Sequence, residues 1–297
     1  MGTSQRHQPS VTGQPNWGKS SLSLSAAIKN LERLNTLDNE DDSSNNENKD
    51  NIRTTPSSRQ SVNNKQRERI TAAYRRNVHN AVSRLIKASG GKKKVASGAS
   101  RALGHAGVVV LSNFLGAISE ISIKGLSGWL AEKGITLDGK NWKEISDILN
   151  DLCSDTVIGM DETAANQALS EMLQILDNTI NSSTLDVEEV LNGCLEKEQL
   201  QDIIDTFFGV YIYAHLSQNF EEKLTKKYSQ KEVVKYMADI KDLIISDIKQ
   251  GVYGLNSTQV DWNSDEGNQY ITEEFNKIIS VFVNDEEVVS PSDRTTQ

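Results

Sequence analysis

From Asn64 almost to the C-terminus, apolar residues recur at spacings of three and four, and all four prolines, Pro9, Pro15, Pro56 and Pro291, lie outside that stretch. This is the period of amphipathic helices, and proline is excluded where helix interiors must run unbroken. In KQRERITAAYRRNVHNAVSRLIKASGG one stripe gathers Ile70, Tyr74, Val78, Ala81, Val82 and Leu85 before the Gly90-Gly91 stop. Later stripes run through Ala165, Leu169, Met172, Leu173 and Ile180, then through Ile204, Phe207, Phe208, Tyr211 and Leu216. Two more carry Val233, Met237, Ile240, Ile244 and Ile248, and Ile271, Phe275, Ile278 and Phe282. Asn141 with Glu144, and Ser229 with Glu232, have the spacing of capping boxes, which open helices. No stretch alternates as a sheet would require. The sequence therefore predicts an all-α domain over residues 64–284, a polar C-terminal tail over 285–297, and no solenoid repeat.

Residues 1–63 contrast with this body. They are short of large aliphatics, and the thirteen residues 38–50 (DNEDDSSNNENKD) contain none. Such composition predicts a long, largely disordered tail, because too little apolar surface is available to offset chain entropy. Within it only residues 22–37 have helical rhythm, which predicts a short amphipathic helix folding against the body or a partner.

The charge is polarised. Between Arg53 and Arg101 thirteen basic residues face Glu68 alone, a surplus of +12 that leaves -21 for the rest of a chain of net charge -9. Arg69, Arg76 and Lys87 fall opposite the apolar stripe, and Lys92, Lys93 and Lys94 follow the glycine stop. Such a face can grip phosphates with salt-sensitive affinity, although it lacks interleaved aromatics for base stacking. It reads better as a basic face for an acidic partner surface, including the chain's own residues 38–50. Nucleic acid remains the alternative partner.

Residues 102–119 carry no formal charge but include His105, Asn113 and three glycines. They predict a buried central helix in which small residues allow close packing, rather than a membrane span. The opening MGTSQRHQPS has no apolar core for a secretory signal, and the two cysteines, Cys153 and Cys194, show no disulfide or zinc pattern. A cytoplasmic protein is expected, without a membrane partner. His7, His79, His105 and His215 have no acid or nucleophile at a recognisable spacing. The sequence thus predicts no catalytic residue, no metal site, no intrinsic cofactor and no enzyme activity.

Residues 13–20 (GQPNWGKS) satisfy the phosphate-loop pattern GxxxxGK[ST]. That loop works when a buried strand delivers it to a helix N-terminus, and the polar, proline-containing residues before Gly13 form no such strand. The segment reads as a flexible tail or as a docking peptide, with Trp17 the apolar anchor and Lys19 the charge.

Met1 is followed by Gly2, so removal of the initiator methionine would leave a glycine α-amine. An α-amine has a pKa of about 7.7 to 8.0, against about 10.4 for lysine, so a useful fraction is neutral and nucleophilic near neutral pH. Glycine has no Cβ to obstruct entry into a narrow active site. The myristoylation pattern fails because Arg6 stands where Ser or Thr is needed.

The opening MGTS, the tail motif GQPNWGKSS and a helical body containing RNVHNAVSRLIKASGG and SRALGHAG resemble the QatB components of bacterial QatABCD anti-phage systems. The resemblance implies a non-enzymatic defence component. Its Gly2 amine would attack a deazaguanine carboxylate activated by QatC, a partner similar to the ATP-dependent enzyme QueC. Thr3 and Ser4 would form the recognition context. A covalent deazaguanine on Gly2 follows, with QatA, similar to P-loop ATPases, and QatD, similar to TatD-type nucleases, as further members of the system.

Overall fold

The computed structural model describes residues 18–46, 57–154, 159–182, 186–252 and 260–283. Among them every regular element is helical: α1 (Gly18–Asn46), α2 (Ser57–Ala88), α3 (Lys92–Ala96), α4 (His105–Glu132), α5 (Trp142–Cys153), α6 (Met160–Ser182), α7 (Val187–Gly193), α8 (Lys197–Leu224), α9 (Gln230–Gly251) and α10 (Asp265–Phe282). The all-α class read from periodicity is the observed one. Of the expected tails, residues 1–17 and 284–297 lie outside the described residues.

The N-terminal boundary differs from the expected one. The helix placed near 22–37 runs over 29 residues, and α2 begins at Ser57 rather than at 64. The reason is packing. Leu24, Ala27, Ile28 and Leu31, spaced i, i+3, i+4 and i+7, are buried in the common core. α1 packs against α2, whose Tyr74, Val78, Ala81, Val82 and Leu85 are buried in the same core, so α1 belongs to the folded body. The two helices are antiparallel. At one end the Ser20 hydroxyl donates to the Ala81 carbonyl at 2.8 Å, and at the other Arg67 donates to the Leu37 carbonyl at 3.1 Å. Arg67 also pairs with Asp38, so the acidic segment does reach back to the basic helix at its first residue.

α2 stops in a Schellman turn. The Gly91 N–H reaches the Ile86 carbonyl at 3.0 Å and the Gly90 N–H the Lys87 carbonyl at 3.3 Å, and the chain turns directly into the lysines of α3.

At the centre lies α4, against α5, α6, α7, α8 and α10. It is the one helix among the described residues long and apolar enough to cross a membrane, yet most of its apolar stretch is buried inside the bundle. Close packing explains its small residues: a Cβ on Gly107 would sit 2.8 Å from the Tyr211 ring. The helix breaks at Gly125, whose φ of 74° favours glycine. There Glu188 of α7 accepts the Leu126 N–H at 2.8 Å and so caps the second half of α4. Phe208 of α8 stacks on Phe275 of α10 with ring centroids 4.5 Å apart, tying the C-terminal helix to the same core.

Candidate functional site

Of the residues singled out at the amino terminus, Gly2, Thr3, Ser4 and Trp17 lie outside the described residues. Lys19 is exposed in the first turn of α1. The structure therefore places the root of the N-terminal segment, where it joins the body at the C-terminal end of α2.

That root is electropositive for several local reasons. The first turn of α1 carries no acidic residue to oppose the partial positive charge of its N-terminal N–H groups. Arg84 of α2 donates to the Lys19 carbonyl at 3.0 Å and to the Ser23 hydroxyl at 2.5 Å. The Schellman turn brings Lys92, Lys93 and Lys94 in directly after this end of α2. Lys87, Lys93 and Lys94 are exposed, as are Arg69 and Arg76 farther along α2, while Lys92 is half-buried. The basic block is not wholly an outward face. Arg67, Arg75 and Arg84 hold Asp38, Asp247 and the start of α1 respectively.

The phosphate-loop match has a different role here. Gly18, Lys19 and Ser20 open a helix, but the Ser20 hydroxyl, which would face a nucleotide-bound metal, is buried and committed to the Ala81 carbonyl. No strand is present among the described residues to deliver such a loop. The match marks the docking of α1 onto α2.

The sequence reading missed a polar cluster in the core. Asp161, in the first turn of α6, accepts from the Tyr211 hydroxyl, from His215 Nε2 at 3.0 Å and from the Ala106 N–H at 2.8 Å, with the Gly104 N–H at 3.3 Å. The Tyr211 hydroxyl accepts from Gly104 as well. Burial, then the adjacent Asp161 charge, pushes the Tyr211 hydroxyl pKa well above its ordinary value. Tyr, Asp and His within hydrogen-bond reach have the composition of a catalytic group, but His215 is 0% and Asp161 1% exposed. Their role is to satisfy the unpaired N–H groups at the start of α4. The pairing was illegible because 54 residues separate His215 from Asp161. An acidic residue opening a helix after Gly159 was the available signal.

A second buried carboxylate, Asp247 of α9, accepts from Arg75 Nε at 2.8 Å and contacts His79 Nε2 at 2.7 Å. Burial opposes its ionisation, but the hydrogen bonds and charges of His79 and Arg75 outweigh that and hold its pKa below the usual range. Burial pushes the thiols of Cys153 and Cys194 up to about 12, so both stay protonated and unreactive near neutral pH. Among the described residues, no three His, Cys, Asp or Glu side chains cluster as a metal site.

The family model for the Qat anti-phage system associated protein QatB matches residues 90–282, well over half of the chain. The chain belongs to the QatB family. The match begins at the turn ending α2 and closes at the last residue of α10, so it covers the helical body around α4. Membership places the chain in the Qat anti-phage system, and so among the components of a multi-protein defence assembly. No curated protein and no solved structure matches it.

Proposed function

We propose that the chain is a non-enzymatic, cytoplasmic component of its defence system whose Gly2 accepts a deazaguanine from the QueC-like partner QatC. The observation that carries this reading is membership of the QatB family in a chain that begins MGTS. In the reaction the Gly2 nitrogen forms an amide bond to the activated carboxyl carbon, the activating group leaves, and the amine gives up a proton. ATP and metal chemistry belong to the partner. Thr3 and Ser4 form the recognition context, Trp17 and Lys19 supply contacts nearer the body, and QatA and QatD act elsewhere in the system.

The position of Gly18 supports a division of labour. Gly2 lies sixteen residue steps before the α1 start at Gly18, a stretch that at full extension spans at most about 55 Å. Gly2 can therefore enter a partner's active site while the body is held elsewhere. Tethering of this kind raises the local concentration of the acceptor amine toward the millimolar range.

The test is co-expression with the QueC-like partner of two chains, the natural one and one with a residue inserted before Gly2. The natural terminus should carry a deazaguanine acyl group and the extended one should not. An adduct that persists on the extended chain, or that maps to a lysine, would overturn the assignment.

A second reading, nucleic-acid contact, draws on the exposure of Arg69, Arg76, Lys93 and Lys94. It predicts DNA affinity that falls steeply with salt and is lost on charge reversal of these residues together with Lys87 and Lys92. Binding indifferent to either change disposes of it.

A further inference from the structure

Between the C-terminal half of α6, α7 and the start of α8 lies a groove of about 630 Å³. Its floor is aliphatic: Ile175 and Leu176 of α6, Val190 of α7 and Ile203 of α8. Ile175 leaves 47% of its surface exposed, whereas the other three are buried, so the floor opens to solvent at Ile175. Around this floor stand four exposed carboxylates, Glu189, Glu196, Glu198 and Asp202. Lys249 of α9 pairs with Asp202 at one edge. Cys194 also lines the groove, but its thiol is buried, donates to the Val190 carbonyl at 3.3 Å and is held protonated, so the feature is not a redox site.

An apolar floor inside an acidic rim, flanked by helices, fits one kind of occupant. The floor rewards a row of aliphatic side chains, the rim rewards lysine or arginine on either side of that row, and a slot between helices accommodates a helix. We propose that this groove docks a basic amphipathic helix of a partner protein. A second copy of the chain is a poorer occupant. The exposed basic residues it would bring on α2, Arg69, Arg76 and Lys87, lie on the face opposite the apolar stripe, and that stripe is already covered by α1. A copy would thus offer charge without anchors. The inference goes beyond the Gly2 reading and does not require it: the groove is formed by α6 to α8 over residues 175–203, whereas the proposed acceptor amine is at residue 2.

The experiment uses the full-length chain and a fluorescein-labelled synthetic helix with leucine at i, i+3, i+4 and i+7 and lysine or arginine on the flanks. One control peptide carries glutamate in place of the basic residues, and another carries serine in place of leucine. The basic amphipathic peptide should bind with anisotropy that saturates, more weakly as salt rises, and neither control should. Ile175→Asp, and separately Glu189→Lys with Glu196→Lys and Glu198→Lys, should each weaken binding at least about tenfold. All four are exposed positions, and helical circular dichroism checks that each variant folds. Reversal of Asp138, Asp147 and Asp151, acids outside the groove, should leave affinity within about twofold if the attraction is local. Absence of saturable binding, equal binding of the glutamate peptide, unchanged affinity in the groove variants, or equal loss in the distant triple would each overturn the proposal. Adduct formation at Gly2, followed by mass in the same groove variants, separates failure of this inference from failure of the acceptor reading.

Discussion

Asp161 accepts from a hydroxyl, an imidazole and two backbone N–H groups at once, so removing its carboxylate strands several buried donors together. Asp161→Ala should destabilise the fold by about 3 kcal/mol or more, measured by urea denaturation, because unsatisfied buried donors bear their full desolvation penalty. Two other carboxylates give opposite pH signatures. Burial, only partly offset by the Gln201 side-chain hydrogen bond, lifts Asp205 to about 6, above the unfolded value of about 3.9. Its contribution to stability is therefore complete below about pH 4 and lost as pH rises through about 6. Asp205→Asn should match the natural chain at pH 4 and exceed it at pH 8 by about 1–2 kcal/mol. Asp247 is held low instead, so its contribution is complete above about pH 4 and disappears as pH falls below that. Asp247→Asn should cost about 1–3 kcal/mol at pH 7, and the difference should close in acid. Parallel pH profiles for either variant and the natural chain would contradict these assignments.

At the scale of elements, the break in α4 depends on two residues from different helices. Gly125 supplies the left-handed conformation, and Glu188 satisfies the N–H that the break exposes. Gly125→Ala and Glu188→Ala should each cost about 1 kcal/mol, and the double variant should cost less than the sum, since both act on one break. Helix boundaries with a local cause were legible beforehand. Asn141 and Ser229 accept from the N–H groups of Glu144 and Glu232, as the three-residue spacing indicated. The extent of α1 was not legible, because residues 38–46 contain no apolar side chain and only the packing of Leu24 to Leu31 against α2 shows that this helix joins the body. The Asp161 cluster and the carboxylate-rimmed groove were hidden for a related reason. Each assembles residues from separate helices, and one-dimensional spacing records neighbours only along a single helix.

For the whole molecule, the proposal is a division of labour between a docked helical body and the sequence that precedes α1. Packing of α1 fixes where that sequence starts, so weakening the α1–α2 contact should loosen the root. Ile28→Asp, which puts a charge into a fully buried site on a helix packed against α2, should release α1 and speed amide exchange across residues 18–37, while helices α4 to α10 keep their protection. Uniform loss of protection throughout the chain would instead show that α1 is inseparable from the core. The proposed acceptor is the amine of Gly2. Its most direct test is the mass of the N-terminal peptide isolated from cells carrying the complete defence operon, compared with cells whose QueC-like partner is inactivated. A methionine-free peptide bearing a deazaguanine acyl group on Gly2 is expected in the first case and an unmodified amine in the second; an unmodified Gly2 in both would contradict the acceptor role.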